Sequence, residues 1–105
     1  MKLKDRVAIV TGGGKGIGQE ICLGLVKEGA KIVIAEIDIE NSEKAKKKII
    51  EAGGEAIIIK TDVSNQKSIN EMVDQTIKHY GKIDILINNA GIRHVKKLLD
   101  HTKQD

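Results

Sequence analysis

The sequence predicts an α/β fold in which four parallel strands alternate with helices. Three observations predict it: four short aliphatic runs, helical spacing between them, and short connections throughout. None of the runs alternates apolar with polar residues, which is typical of strands covered on both faces. The chain has 105 residues, 40% of them hydrophobic and 1% aromatic. We therefore expect residues 1–105 to form a single domain with an aliphatic core.

The predicted strands are the four aliphatic runs, at residues 7–10, 32–35, 56–59 and 85–87. Parallel strands joined through helices take right-handed crossovers, which predicts the order β-α-β-α-β-α-β. The last part of the chain, residues 92–105, is polar and only close to helical spacing. We expect a short, weak terminal helix there.

Each of the three connecting segments predicts an amphipathic helix that ends at glycine. The apolar stripe of the first helix is Ile17, Ile21 and Leu25, with Val26 beside it, and this helix ends at Gly29. The second helix is predicted over residues 41–52, with Ala45, Ile49 and Ala52 facing inward before Gly53 and Gly54. The third is predicted to begin at Ser64 as its N-cap and to carry Ile69, Val73, Ile77 and Tyr80 before Gly81.

Charge and composition exclude several classes of function. The net charge of +3 is only mildly basic, and one aromatic residue is too few for base stacking, so we expect no nucleic-acid partner. The densest cationic cluster, within residues 44–48, is predicted to be the solvated face of the second helix. No run approaches the roughly 18 apolar residues of a membrane span, so we expect no membrane insertion.

Cysteine and histidine usage adds two expectations. Cys22 is the only cysteine and cannot form an internal disulfide, and the first residues lack the shape of a signal peptide. We therefore expect a cytoplasmic, reducing location, with Cys22 as a small packing residue. His79, His94 and His101 have no ligand spacing with Cys22 or with one another, so no metal site is predicted.

A glycine-rich loop lies between the first strand and the first helix. Residues 11–18 read TGGGKGIG, and glycines at this point let a pyrophosphate approach the amide groups of a helix N-terminus. A P-loop would need Ser or Thr after Lys15, where Gly16 stands. The spacing T-G-x-x-x-G-x-G fits Thr11, Gly12, Gly16 and Gly18. The loop therefore predicts nucleotide binding.

Acidic and amide side chains follow the other strands. Asn88 and Asn89 follow the fourth strand, where two amides can brace the neighbouring strands and contact a ligand. Glu36 lies 18 residues beyond Gly18, where a carboxylate can accept hydrogen bonds from an adenosine ribose and repel a 2′-phosphate. Lys15 has the opposite effect, because a cation beside the loop could pair with that phosphate. We give Glu36 more weight, so NAD is predicted in preference to NADP. Asp62 either accepts from an adenine amino group or begins the cap of the following helix.

Together these segments resemble the short-chain dehydrogenase/reductase family. The matching pieces are TGGGKGIG at 11–18, AEID at 35–38, TDV at 61–63 and YGKIDILINNAG at 80–91. The resemblance implies a Rossmann-like, doubly wound parallel sheet, here of about four strands. It also implies that the glycines shape a pyrophosphate site, that Glu36 holds the ribose, and that Asp62 and Val63 flank the adenine. The predicted cofactor-binding residues are Gly12, Gly14, Lys15, Gly16, Ile17, Gly18, Glu36, Asp62, Val63, Asn88, Ala90 and Gly91.

The family's catalytic residues have no counterpart within these 105 residues. The resemblance implies chemistry carried by a Ser, an Asn and a Tyr-x-x-x-Lys pair, all beyond residue 105 in chains more than twice as long. Tyr80 is the only tyrosine, and Asp84 stands four residues after it. The serines at 42, 64 and 68 fall at helix beginnings, where capping accounts for them. We predict no catalytic residue, a truncated chain, and no activity from it alone.

Two other interpretations stay open. The fourth strand is predicted to be an open aliphatic edge, and such edges recruit partners, so the chain could be a non-catalytic interaction module. We expect a homo-oligomer formed through that edge or through the terminal helix. The glycines at 12, 14 and 16 also fit the G-x-G-x-G loop of a methyltransferase fragment that binds S-adenosylmethionine, although Thr11 and the segment NNAG disfavour it.

Overall fold

The computed structural model describes residues 1–14 and 16–89. The predicted terminal helix over 92–105 lies outside the described residues, as do Lys15, Ala90 and Gly91. The strands are β1 (Val7–Thr11), β2 (Lys31–Glu36), β3 (Ala56–Lys60) and β4 (Ile85–Asn88). The helices are α1 (Gly16–Lys27), α2 (Ile39–Glu51) and α3 (Gln66–Tyr80). The predicted alternation of strands and helices is confirmed.

The four strands form one parallel sheet in the order β3-β2-β1-β4. The chain therefore moves outward from β1 to β3 and then returns to the other side of β1. This reversal places the carboxyl ends of β1 and β4 side by side, with Thr11 in register with Asn88. On its other side, Thr11 is in register with Ala35. In open α/β sheets such a reversal of strand order is where ligands bind.

The core has two layers, one on each face of the sheet. Successive residues of a strand point to opposite faces, so β1 and β2 divide their side chains between both layers. The layer under α1 and α2 includes Val10, Ile34, Cys22, Val26 and Ile49. The layer under α3 includes Ile9, Val33, Ile69, Met72 and Val73. Every residue of β1 is buried, as an uninterrupted apolar run predicts.

Full coverage holds for the two central strands but not for the outer pair. Every residue of β4 is half-buried, and β3 is buried only at Ala56 and Ile59. The expectation that all four strands are covered on both faces is therefore wrong for β3 and β4. Within the described residues these two are edge strands with a partner on one side, which agrees with the predicted open edge at the fourth strand.

The inward face of α1 differs from the predicted stripe by one position. Its buried residues are Gly18, Cys22 and Val26, whereas Ile17 is 73% exposed. Apolar spacing identified the helix, but a glycine and a cysteine face the sheet because small residues allow α1 to approach β1 closely. Cys22 is buried, and its predicted packing role is confirmed.

Helix bounds and caps also differ in detail. The N-cap of α3 is Asn65, whose side chain accepts from the Ser68 N–H, whereas Ser64 donates to Asp62. The predicted N-cap, Ser64, is therefore wrong: Asn65 occupies the cap position, and the Ser64 hydroxyl is hydrogen-bonded to Asp62. The helix stops are confirmed by the positive φ angles of Gly53 (88°) and Gly81 (83°).

The inward positions of α2 and α3 were only partly predicted. Ala52 is exposed as the C-cap of α2, and Ser42 is buried instead, with its hydroxyl donating to the Asp38 carbonyl. In α3, Ile77 is exposed, while Met72 and Thr76 are buried.

Among the helices of the described part, none combines the length and apolar character of a membrane span.

Candidate dinucleotide-binding site

The glycine loop turns the chain from the end of β1 into the start of α1. Gly12 and Gly16 have φ angles of 66° and 57°, in the left-handed region, which costs other residues about 1–2 kcal/mol. The Gly12 N–H donates to the Ala35 carbonyl at 3.0 Å, which ties the loop to the neighbouring strand. The two glycines at the ends of the loop are therefore required by backbone conformation.

Gly18 allows the first turn of α1 to lie against this loop. A Cβ atom at position 18 would overlap the Gly12 carbonyl oxygen and lie 2.9 Å from Nδ2 of Asn89. The missing side chain thus lets the helix N-terminus lie directly over the end of β1. The same glycine is buried in α1, so its role in the fold is close packing.

The middle of the loop packs against both helices of its layer. A Cβ atom at Gly13 would lie 3.2 Å from Sγ of Cys22, and one at Gly14 would lie 3.1 Å from the Ser42 nitrogen. Burial raises the pKa of the Cys22 thiol to about 12, so this cysteine is a neutral packing group beneath the loop. The loop is held from below by α1 and from one side by α2.

The first turn of α1 presents the chemistry that binds an anion. The first four N–H groups of an α-helix have no partner within the helix, and they carry the positive end of the helix dipole. Among the described residues, a Cβ atom at Gly16 would meet no atom within 4 Å beyond its chain neighbours and its own helix, and Ile17 is largely exposed beside it. An anionic group can therefore approach the backbone amides at this helix start without displacing protein atoms.

Glu36 occupies the end of β2 with its carboxylate already oriented. Its Oε1 accepts from the N–H of Ile37 at 3.0 Å and from the N–H of Asp38 at 3.4 Å. These contacts fold the carboxylate over the first turn after the strand. Asp38 in turn caps α2 by accepting from the Asn41 N–H. The Glu36 carboxylate is therefore held in place at the end of β2, the strand that pairs with the one leading into the glycine loop.

Asp62 forms a turn before α3. Its Oδ1 accepts from the N–H and the hydroxyl of Ser64, at 3.0 and 2.6 Å, and its own N–H donates to Oγ of Ser68. The Asp62 carboxylate therefore lies in the turn that leads into α3, which favours the interpretation that this residue begins the helix cap. Asp62 is exposed, so these contacts leave it open to solvent as well.

The end of β4 is bound to the end of β1 by side chains. The Thr11 hydroxyl donates to Oδ1 of Asn88 at 2.8 Å, and Nδ2 of Asn89 donates to the Gly12 carbonyl at 3.2 Å. Thr11 and Asn89 are not among the predicted cofactor-binding residues, although the amides of Asn88 and Asn89 are expected to brace neighbouring strands, and the Asn89 contact agrees with this. Their signal was present in the sequence, because both adjoin predicted residues, but only the strand order shows that they meet.

A second missed feature is apolar. Ile37 is 57% exposed directly after Glu36, and Ile39 is also exposed at the start of α2. Exposed isoleucines beside an oriented carboxylate form an apolar border to the carboxyl edge of β2. Across β3, the half-buried Val63 borders the same edge of the sheet.

The sheet order therefore gathers most of the predicted residues at one edge. The loop glycines, Glu36, Asp62 and Asn88 all follow the carboxyl ends of neighbouring strands. In residues 1–14 and 16–89, no three His, Cys, Asp or Glu side chains come together as metal ligands. The arrangement is a glycine loop at a helix N-terminus, flanked by polar strand ends.

Comparison with known proteins identifies the class. The model of the short chain dehydrogenase family matches residues 6–105, so the chain belongs to that family. It is 39% identical over 103 residues to an uncharacterized oxidoreductase of Thermotoga maritima, covering 98% of this chain and 40% of that protein. It is 42% identical over 97 residues to general stress protein 39 of Bacillus subtilis, covering 91% of this chain and 34% of that protein.

Solved structures of the same class share the fold. NAD⁺-bound xylitol dehydrogenase superposes with a TM-score of 0.92 at 28% identity, over 99% of this chain and 49% of that one. Hydroxysteroid dehydrogenase from Escherichia coli superposes with a TM-score of 0.82 at 34% identity, over 87% of this chain and 39% of that one. The Rossmann-like fold and the family resemblance are confirmed. The chain spans well under half the length of the curated relatives, and the family binds NAD(P).

Proposed function

We propose that these 105 residues bind the adenosine and pyrophosphate parts of a nicotinamide dinucleotide, with NAD preferred to NADP. The observation that carries the proposal is the glycine loop, in which Gly12 and Gly16 take left-handed conformations and Gly18 lets α1 lie against the loop. Backbone amides at this helix start suit an anionic pyrophosphate. The residues present therefore fit the cofactor that the family uses.

Each strand end has a role in this proposal. Amides of Gly16, Ile17 and Gly18 hold the pyrophosphate, with Gly12 and Gly14 shaping the loop and Lys15 adding charge. Glu36 accepts from the ribose, and Asp62 and Val63 border the adenine, as Ile37 does from the other side. Asn88 contacts the cofactor from the end of β4, and Ala90 and Gly91, which follow it in the sequence, are proposed to contact the cofactor as well. Bound nicotinamide supplies the hydride acceptor or donor of the reaction.

The cofactor preference depends on Glu36. Its Oε1 is engaged by two backbone N–H groups, which holds the carboxylate at the end of β2 rather than letting it move into solvent. A fixed negative charge there accepts from ribose hydroxyls and repels a 2′-phosphate. Lys15 acts in the opposite sense, and the balance of the two sets the ratio of affinities for NADH and NADPH.

The whole protein is proposed to be an oxidoreductase that moves hydride between NAD(P)H and a carbonyl or alcohol. Within the 105 residues, the single tyrosine is followed four positions later by Asp84, so the family's Tyr-x-x-x-Lys pair is not among them. We therefore expect these residues alone to bind cofactor without turning over substrate.

The test is a titration of NADH with the purified chain, followed by nicotinamide fluorescence, with NADPH in parallel. The absence of tryptophan keeps the optical background low. We expect saturable binding that favours NADH, and Glu36→Gln should reduce that preference. Glu40→Gln, which removes an exposed carboxylate from the first turn of α2, is the matched control and should leave the preference unchanged. Tighter binding of S-adenosylmethionine than of NADH would contradict the proposal.

We also propose that the chain self-associates, because all four residues of β4 are half-buried along an edge strand. Aliphatic edges of this kind pair with a second chain. Sedimentation velocity at several concentrations tests this directly. A species that remains monomeric at every concentration would exclude self-association.

A further inference from the structure

A groove lies between the glycine loop and the exposed side of α2. Its volume is about 430 Å³, and it opens on Gly14 and Gly16 at the loop. The α2 wall carries three lysines, Lys44, Lys47 and Lys48, against a single glutamate, Glu51. Positions separated by three and four residues share one face of a helix, so the three ammonium groups point to the same side. We call this feature the lysine groove.

One of these lysines is held at the start of α1. Nζ of Lys48 donates to Oε1 of Gln19 at 3.0 Å, and Gln19 lies in the first turn of that helix. A cation at a helix N-terminus faces the positive end of the dipole, which is electrostatically unfavourable without an anion nearby. The arrangement therefore concentrates positive potential on the turn where the pyrophosphate is proposed to bind.

None of these three lysines forms an ion pair within the described residues, although Glu40 and Glu43 lie one helical turn before Lys44 and Lys47. The ion pairs among the described residues are Arg6–Asp84 and Lys82–Asp84, both at the opposite end of β4. Glu51 lines the groove, yet none of the three ammonium groups has a carboxylate of the described part within 4.0 Å. Like charges arranged along a cleft attract anionic ligands from solution.

We infer that the lysine groove captures the anionic dinucleotide and raises the rate at which it reaches the glycine loop. This inference rests on the proposed function and extends it to three residues outside the predicted site. Lys44, Lys47 and Lys48 act through their charge before the cofactor is seated. The groove is not lined by Glu36, so the charge of the groove can be changed while that carboxylate is kept.

The experiment measures the association rate of NADH by stopped-flow fluorescence at increasing salt. In the variant Lys44→Gln/Lys47→Gln/Lys48→Gln, we expect the rate constant to fall about fivefold at low ionic strength. The difference should disappear near 1 M salt, where the Debye length is about 3 Å. Replacement of the same three lysines by arginine should restore the wild-type rate, because the charge returns while the side chain changes.

The matched control is Lys4→Gln/Lys46→Gln/Lys78→Gln, which removes the same charge from positions that do not line the groove. Its association rate should change less than that of the groove variant at every salt concentration. Equal slowing in both variants, or no slowing in the groove variant, would overturn the inference while leaving the proposed function intact.

A second probe separates failure of the inference from failure of the proposed function. Inorganic pyrophosphate is titrated into the ¹⁵N-labelled chain and amide shifts are recorded. Shifts at Gly14, Gly16 and Gln19 that are lost in the groove variant support the lysine groove even if NADH does not bind. Unchanged shifts in that variant reject it. Failure of the wild-type chain to bind NADH would reject the proposed function instead.

Discussion

The hydroxyl of Thr11 donates a 2.8 Å hydrogen bond to the side-chain oxygen of Asn88, joining the last residue of β1 to the last residue of β4. One residue further on, Nδ2 of Asn89 reaches back to the carbonyl of Gly12. The two asparagines therefore hold the beginning of the glycine loop from the neighbouring strand. The geometry of the loop depends on β4 as well as on β1.

Thr11→Val tests this dependence. The substitution keeps the shape of the side chain and removes a fully buried hydroxyl, together with its hydrogen bond to Asn88. We expect the free energy of unfolding to fall by about 1–3 kcal/mol and the Kd for NADH to rise. Chemical denaturation and the fluorescence titration measure the two effects.

Thr76→Val is the control for that substitution. Thr76 is equally buried, and its hydroxyl donates to the Met72 carbonyl within α3, away from the glycine loop. We expect it to lower stability without changing the Kd for NADH. An unchanged Kd in Thr11→Val would show that the bond between the strand ends does not position the loop.

Two glycines of α1 should respond to alanine in opposite ways. At Gly18 a methyl group would overlap the Gly12 carbonyl, whereas at Gly24 it would meet no atom of the described residues within 4 Å beyond its chain neighbours and its own helix. We expect Gly18→Ala to cost about 1–3 kcal/mol through overpacking and to weaken NADH binding. Gly24→Ala should stabilise the chain by up to about 1 kcal/mol, since alanine favours the helix. Equal unfolding midpoints for the two variants would contradict the close approach at Gly18.

Because of Asp84, the free energy of unfolding should depend on pH in the acidic range. Its Oδ2 accepts from the Val7 N–H at 2.9 Å and lies 3.2 Å from Nζ of Lys82, while Oδ1 lies 3.4 Å from the Arg6 guanidinium. The hydrogen bond from Val7 is the main reason that the pKa of this carboxyl is lowered, and Lys82 and Arg6 add to it.

A lowered pKa stabilises the fold above the unfolded value, near 3.8, and this contribution is lost as the pH falls through the folded pKa. Asp84→Asn should therefore lower the free energy of unfolding at pH 7 by about 1 kcal/mol, and the gap from wild type should close as the pH falls below about 4. Urea unfolding at pH 7 and pH 3 measures this difference in the free energy of unfolding between wild type and variant. Glu71→Gln, at an exposed position of α3, is the control; a similar pH-dependent gap there would argue against the role of Asp84.

The phenol of Tyr80 should lose its proton at a higher pH than an ordinary tyrosine. Burial raises the pKa of its phenol, and the nearby carboxylate of Glu55 adds to the effect by charge and by a 3.5 Å hydrogen bond, so that the pKa is about 12. Because Tyr80 is the single tyrosine and the chain has no tryptophan, absorbance near 295 nm reports this group alone. We expect a midpoint near 12, and Glu55→Gln should lower it.

The sign of this shift also predicts an alkaline limit on stability. A raised pKa contributes stability below the unfolded value of about 10 that disappears as the pH rises through the folded pKa. The control for the titration is Glu51→Gln, which removes an exposed carboxylate at the end of α2, on the other face of the sheet. A wild-type midpoint near 10 would mean that neither burial nor Glu55 acts on the phenol.

The sequence by itself determined the elements and the chemistry of the glycine loop. Aliphatic runs such as residues 7–10 are local signals of buried strands, and Gly53 and Gly81 are local signals of helix ends. The short spacing from strand to loop to helix likewise depends only on neighbouring residues. These features could be predicted because backbone conformation and apolar periodicity are set within a few residues.

Only the tertiary structure decided which strand ends meet. Thr11 and Asn88 are 77 residues apart, and their hydrogen bond exists because β4 returns to the free side of β1. The same holds for the inward face of α1, where Gly18 and Cys22 rather than Ile17 face the sheet because a close approach needs small side chains. It holds also for the lysine groove, which is formed by α2 lying beside the loop. Contacts between distant segments arise from packing, which local sequence patterns do not encode.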